Sequence, residues 1–354
     1  MTEITADPAA IRSGASAAPS RAKPWVLALL ALALLALLAA PFFVYPIFLM
    51  KILCFALFAA AFNLLLGYTG LLSFGHAAFF GGAAYATAYA VKVWGFTPEL
   101  GLLAGVVAAS VLGLAIGILA IRRQGIYFAM VTLALSQMFF FFCLQAPFTG
   151  GEDGIQGVPR GHAFGLIDLN DPLAIYFFVL ATVLLGLFAV YRIVHSPFGM
   201  VMKSIRENEN RAISLGYSVN RYKLAAFVMS AGLAGLAGGA KALVFQFATL
   251  TDVAWQMSGE VILMTLLGGI GTMLGPLVGA TLVVALQNTL ATSAFPVTVV
   301  TGLIFMICVL TFRRGLVGEV VHRWRLRRER AEGRGRDRSE GQGQGRERAE
   351  GSGH

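Results

Sequence analysis

From Gly67 to Gly82 the sequence reads GYTGLLSFGHAAFFGG, which sets five glycines, Ser73 and His76 into otherwise apolar surroundings. The groups available there for chemistry are the hydroxyls of Tyr68, Thr69 and Ser73 and one imidazole. An imidazole can titrate near neutral pH, yet beside small residues at a helix break it more often serves as a hydrogen-bond brace. Backbone that leaves a helix at membrane depth must be buried in protein or line a wet cavity, because lipid offers no hydrogen-bond partner. A second run, Gly268 to Gly279 (GGIGTMLGPLVG), repeats the pattern, and paired glycine-interrupted apolar segments point to a transport pathway. The candidate pathway residues are Gly67, Gly70, Ser73, Gly75 and His76 in the first run and Gly268, Gly269, Gly271 and Gly275 in the second. Close helix packing through small residues is the competing explanation for either run alone.

Two charged residues inside apolar stretches, Lys241 and Glu260, are the other groups of interest, since an ionised side chain within a span must pair or reach water. Glu260 can pair with a substrate ammonium, pair with Lys241, or rest at the interface as a solvated carboxylate. Cys54, Cys143 and Cys308 lie in apolar runs without CxxC spacing or histidine partners, so neither a disulfide framework nor a metal site is indicated. GLAGGAK at Gly235 to Lys241 imitates a phosphate-binding loop but has Ala242 where the hydroxyl belongs, so small-residue helix packing explains it better. HExxH, GxSxG and paired carboxylates are all missing, which leaves no catalytic constellation and makes a non-catalytic chain the expectation.

The elements that position these residues are apolar spans. At 57% hydrophobic and 13% charged, the chain is far from a soluble domain, where charged residues make up about 25%. Ten stretches approach the roughly 20 apolar residues needed to cross a bilayer. They are Trp25 to Val44, Ile47 to Leu66, Ala77 to Trp94, Leu100 to Ile121, Ile126 to Ala146, Leu173 to Val194, Lys223 to Phe247, Gly259 to Met273, Pro276 to Thr292 and Val297 to Phe312. The third, eighth and ninth border glycine-rich breaks and are equally readable as half-helices or re-entrant segments. The fold class expected is all-α: a polytopic membrane protein with about 10 transmembrane segments, 8–10, some glycine-broken.

Short cytoplasmic loops carry the lysine and arginine excess. Arg12, Arg21 and Lys23, then Arg122 and Arg123, then the 195–222 loop with Lys203, Arg206, Arg211 and Arg221, and finally Arg313 and Arg314 all fall on one side if ten spans cross. Both termini are then cytoplasmic. The 147–172 loop, with Glu152, Asp153, Asp168 and Asp171 against Arg160, suits the outside. Lys51 is the exception, near an outer turn from which it can snorkel. The expected domains are a disordered N-terminus at 1–24, a permease domain at 25–318 and a disordered Arg/Glu/Gly-rich tail at 319–354. The net charge of +9 clusters beside span ends, which makes membrane lipid, and not nucleic acid, its partner.

In the 195–222 loop, Ser196 can cap a helix that Pro197 begins and Gly216 ends. Phe198, Val201, Met202, Ile205, Ala212, Ile213 and Leu215 offer apolar contacts, and RENENR at Arg206 to Arg211 forms a dense polar turn. Such a helix can plug into a partner protein or rest on anionic headgroups. Two acids and two asparagines in RENENR favour the protein partner.

Several stretches resemble the permease subunits of ABC importers for branched-chain amino acids, specifically the M-type subunit. They are GYTGLLSFGHAAFFGGAAY from Gly67, TGGEDGIQGVPR from Thr149, SPFGMVMKSIRENENRAISLGYSVNRYKLAAFVMSAGLAGLAGG from Ser196, GGIGTMLGPLVGA from Gly268 and FRRGLVG from Phe312. The resemblance implies a bacterial inner-membrane, multi-pass permease paired with a second, H-type permease. Two cytoplasmic ATP-binding subunits and an external or periplasmic substrate-binding protein would complete the importer. ATP and Mg would be used by the partner subunits, with no cofactor bound by this chain. Arg206, Glu207 and Gly216 would belong to the coupling helix, although Glu209-Asn210-Arg211 departs from the importer EAA pattern. A urea or short-amide importer of the same superfamily is a close alternative. An ion-coupled secondary transporter is a distant one, since Glu260 is its only intramembrane acid.

Overall fold

The computed structural model describes residues 35–291 apart from 164 and 166, together with 299–300, 302–303, 306, 315 and 319. The chain divides into two compact units, Met1–Tyr45 and Pro46–His354. In the first, a helical stretch over 35–39 runs into a 3-10 turn at Ala40–Phe42. The segment 1–24, the tail 319–354 apart from Glu319, the first half of the first expected span and most of the tenth lie outside the described residues.

In the second unit the long apolar runs form helices, the only open structure whose backbone hydrogen bonds close within one segment in lipid. They are α1 (Pro46–Thr69), α2 (His76–Lys92), α3 (Pro98–Ala120), α4 (Ile126–Gln145) and α5 (Pro172–Val194). Next come α6 (Pro197–Glu207), α7 (Glu209–Ser214), α8 (Val219–Phe245), α9 (Leu250–Val253), α10 (Trp255–Gly268) and α11 (Gly275–Leu290). Pro46, Pro98, Pro172 and Pro197 each open a helix, where the missing N–H breaks no hydrogen bond. Five helices, α1, α3, α4, α5 and α8, are long and apolar enough to cross a membrane among the described residues. At 17, 14 and 16 residues, α2, α10 and α11 fall short of the roughly 20 a full crossing needs.

Burial separates core helices from peripheral ones. In α1 and α8, 78% of the most apolar stretch is buried, against 28–39% in α3, α4 and α5. The central helix α8 packs on α1, α2 and α3, while α5 and the α10–α11 pair lean on α1. Hydrophobicity cannot drive this in lipid, so close approach through small residues has to. A Cβ on Gly238 would stand 1.9 Å from the Phe80 oxygen, and one on Gly235 would stand 2.4 Å from the Ala109 Cβ. GLAGGAK is therefore the surface on which α2 and α3 close against α8.

The short strands β1 (Ile155–Gln156), β2 (His162–Ala163), β3 (Ile167–Asp168) and β4 (Phe247–Ala248) all lie at one end of the bundle. β1 pairs antiparallel with β4, and β2 with β3. Arg160 Nη2 donates to the Val244 oxygen at 2.8 Å and Lys92 Nζ to the Gln156 oxygen at 2.6 Å, tying the 147–172 loop to the ends of α8 and α2. At 23 residues, α5 separates this loop from the basic 195–222 loop, which puts the two at opposite ends of the bundle.

Glu152 and Ser214 are exposed in these two loops, whereas Cys54 and Cys143 are buried. With Cys308 replaced by alanine, Glu152→Cys should react with an impermeant maleimide in intact cells and Ser214→Cys only in inverted vesicles. Labelling of both from the same side would disprove the loop-charge topology.

Candidate functional site

The first glycine break is a strap of six residues. α1 ends at Thr69, Gly70 takes φ +76° and α2 starts at His76. Side-chain hydroxyls take up two of its N–H groups and one in the first turn of α2. Phe74 N donates to Thr132 Oγ1 at 3.1 Å, Gly75 N to Ser73 Oγ at 3.1 Å and Ala77 N to Ser258 Oγ at 2.9 Å. His76 is wholly buried beside the rings of Phe62, Phe79 and Phe227, with Nε2 2.9 Å from Ser230 Oγ, which donates in turn to the Ala61 oxygen. Ser73 and His76 thus hold the strap in place, and Gly67 and Gly75 are buried with them; only Gly70 of the five is exposed. The strap's apolar side, Leu71, Leu72 and Phe74, lines a cavity of about 600 Å³ against Phe128, Ala129 and Met130 of α4.

The second break runs between α10 and α11, with Gly269 at φ +119° and Gly271 at φ +74°. Gly268, Gly269 and Gly275 are buried and Gly271 is half-buried. Thr272 closes the turn, donating to the Gly269 oxygen at 2.8 Å and accepting from Gly275 N at 3.1 Å. Gly315, from the terminal FRRGLVG, lies against it, where a Cβ would be 2.5 Å from the Gly269 Cα.

The two breaks touch. A Cβ on Gly67 would stand 2.7 Å from the Gly271 nitrogen. Asn63, one turn before Gly67, accepts from Gly271 N at 2.9 Å and donates to the Thr272 oxygen at 2.9 Å. Arg206 reaches the same point from α6, and its Nη1 donates to the Gly67 oxygen. One turn earlier the Lys203 ammonium lies 5.5 Å from the Tyr68 ring. Gly67, Gly70, Gly271 and Arg206, far apart in sequence, therefore meet at one junction. Asn63 was missed in the sequence, although a single amide in an otherwise apolar run is the signal that marks it.

The basic loop forms two helices where one was expected. Asn208, extended at φ −157° and ψ 101°, breaks the chain inside RENENR and caps α7 by accepting from Arg211 N at 3.0 Å. The Asn208 side chain competes with helix continuation and wins at this position. Ser196 caps α6 as expected, accepting from Gly199 N at 3.3 Å, and Gly216 ends α7 at φ +86°. Ile205, Ala212 and Val219 form a small core with Val201 and Tyr222 against it. Glu209 accepts from Lys223 at 2.8 Å and from Gln124 at 3.1 Å, which fixes the loop to α8 and to the turn before α4. Glu207 and Gly216 are exposed, as are the apolar side chains of Met200, Ile213 and Leu215.

At the opposite end Lys241 pairs with Asp252 at 2.6 Å, and not with Glu260. Both side chains are almost fully buried, and the ammonium sits 4.5 Å from the Phe247 ring. Asp252 also closes a capping box with Thr249 on α9. That T-x-x-D spacing is the signal that would have found it. Among the described residues neither Glu260 nor Lys51 takes part in an ion pair. Removing one member of a buried ion pair strands the other charge, so Asp252→Ala should lower stability by about 3–5 kcal/mol. Adding Lys241→Met should recover most of it. Thermal unfolding in detergent checks both, and equal midpoints for wild type and Asp252→Ala would rule the pair out as a stabilising element.

With this geometry in place, the sequence matches the family described as "Branched-chain amino acid transport system / permease component" over residues 44–312. It is 31% identical over 250 residues to the Salmonella typhimurium high-affinity branched-chain amino acid transport system permease protein LivM, covering 63% of this chain and 58% of that relative. The Escherichia coli protein of the same name is 30% identical over 250 residues, with the same shares. A probable branched-chain amino acid transport permease protein LivM of Methanocaldococcus jannaschii is 25% identical over 225 residues, or 57% of this chain and 60% of that one. The chain spans less than two thirds of the length of these relatives. The family match takes in both glycine breaks, their junction with Arg206 and the basic loop, and the chain is an integral membrane protein that belongs to the branched-chain amino acid transport permease family.

Proposed function

We propose that the chain is the transmembrane permease subunit of an ATP-driven ABC importer for leucine, isoleucine and valine, delivered by an external binding protein. It would sit in the bacterial inner membrane with both termini cytoplasmic, beside a second permease and above two ATP-binding subunits. The observation that carries this reading is the basic loop: a folded two-helix unit, exposed at Glu207, Met200, Ile213 and Leu215, whose Arg206 reaches the junction of both glycine breaks. A partner seated on its exposed face can move α6 and α7 together, because Ile205 of α6 packs with Ala212 of α7 in one small core. The chain would bind neither ATP nor Mg, and the binding protein would supply most of the selectivity.

Alternating access would follow from motion of the loop against α1 and α10. The breaks are suited to it because residues outside regular helix can change φ and ψ without unmaking a helical ladder. The names of the relatives support branched-chain amino acids over urea or short amides. Ion coupling has little support, since the buried carboxylate of Asp252 is engaged with Lys241.

Gentle purification should recover this chain with a second permease and two ATPases, and proteoliposomes of that complex with its binding protein should accumulate leucine but not urea. Transport by this chain alone on a proton gradient would overturn the reading. Glu207→Lys reverses a charge on the exposed face, and Gly216→Trp forces a side chain into a left-handed conformation. Each should cut substrate-stimulated ATP hydrolysis about tenfold at normal membrane levels; unchanged hydrolysis would eliminate the docking role.

A further inference from the structure

We infer that Arg206 is a positioning residue for transport: it latches the inner ends of the α1–α2 and α10–α11 pairs together while the basic loop is seated, and releases them when the loop moves. This inference rests on the loop being the docking element. The Gly67 carbonyl lies in the last turn of α1, among the oxygens that find no intrahelical donor, and Arg206 Nη1 supplies the missing hydrogen bond. A guanidinium at a helix C-terminus also meets the negative end of the helix dipole.

The same guanidinium touches the other break. A Cβ on Gly271 would stand 3.2 Å from Nη1 and 3.1 Å from the Gly67 oxygen, and one on Gly70 would stand 3.3 Å from the Arg206 Cγ. Both glycines hold a positive φ that side chains rarely adopt, +76° at Gly70 and +74° at Gly271, and a Cβ at either would crowd the arginine. Asn63 joins the breaks from within the bundle, so Arg206 is the contact at this junction that comes from the loop. It is also the neighbour of exposed Glu207, so displacement of the loop there reaches the junction across one peptide unit.

The contact is built to be reversible. Among the described residues no carboxylate pairs with Arg206, in contrast to Lys223 and Lys241. Its side chain is exposed overall, so withdrawal returns the charge to water instead of leaving it buried.

The test uses the complete complex with its binding protein. Leu71, buried in the strap, is replaced by cysteine in a background with Cys54, Cys143 and Cys308 changed to alanine. Arg206→Ala should lower the ratio of substrate moved to ATP hydrolysed about tenfold, and should raise maleimide labelling of the Leu71→Cys site in nucleotide-free inverted vesicles by a similar factor. Arg206→Lys keeps the charge but loses the planar fork, and should fall between wild type and alanine in both readouts. Wild-type values for Arg206→Ala would overturn the inference. So would hydrolysis and uptake falling in proportion with labelling unchanged, since that pattern marks lost docking or assembly. If Glu207→Lys leaves hydrolysis intact, the docking role fails on its own, and the labelling result still decides whether the latch exists.

Discussion

Every backbone N–H and C=O that leaves a helix inside a bilayer needs a partner supplied by protein, and the described bundle is arranged around meeting that requirement at two places. The Gly70–Gly75 strap receives hydroxyls from Ser73 and Thr132, and the first turn of α2 receives one from Ser258. The Gly269–Leu274 turn receives Asn63 from α1 and Thr272 from within. These partners come from α1, α4 and α10, so the breaks can hold their shape only while those helices stay packed. Local irregularity and global packing are one constraint here.

Close approach supplies the packing. α8 brings Gly235 and Gly238 against α3 and α2, and the Ala61–Ser230–His76 chain of hydrogen bonds links α1, α8 and the start of α2 across the same core. The arrangement puts a wholly buried imidazole between three aromatic rings. In that place His76 acts as a structural hydrogen-bonding group, walled by the rings of Phe62, Phe79 and Phe227.

Charge is handled differently at the two ends of α8. Lys223 and Lys241 are 18 positions apart, or about 27 Å along a helix, close to the roughly 30 Å of hydrocarbon. Each is buried and paired, with Glu209 at one end and Asp252 at the other. The pairs anchor the basic loop and the short helix α9 to the same rigid rod. Among the described residues Arg206 has no such carboxylate partner and instead donates to the Gly67 carbonyl.

Composition determined that this is a helical membrane protein and which loop is basic, because lipid permits little else for runs of this length; of the ten spans expected, five among the described residues are helices long and apolar enough to cross. Ser196, Pro197 and Gly216 were legible as helix boundaries, since capping is a local matter. Asn208 was harder, because its break inside RENENR depends on a side chain choosing its own neighbour over the helix. The sequence leaves the partner of Lys241 open: Asp252 and Glu260 are both near it, and the fold of α9 brings the former within 2.6 Å. Nothing in the sequence joins Asn63 and Arg206 to Gly67 and Gly271, which are up to 208 positions apart. A glycine run states that backbones can approach one another; which backbone approaches, and which arginine enters the gap, is settled only when the helices pack.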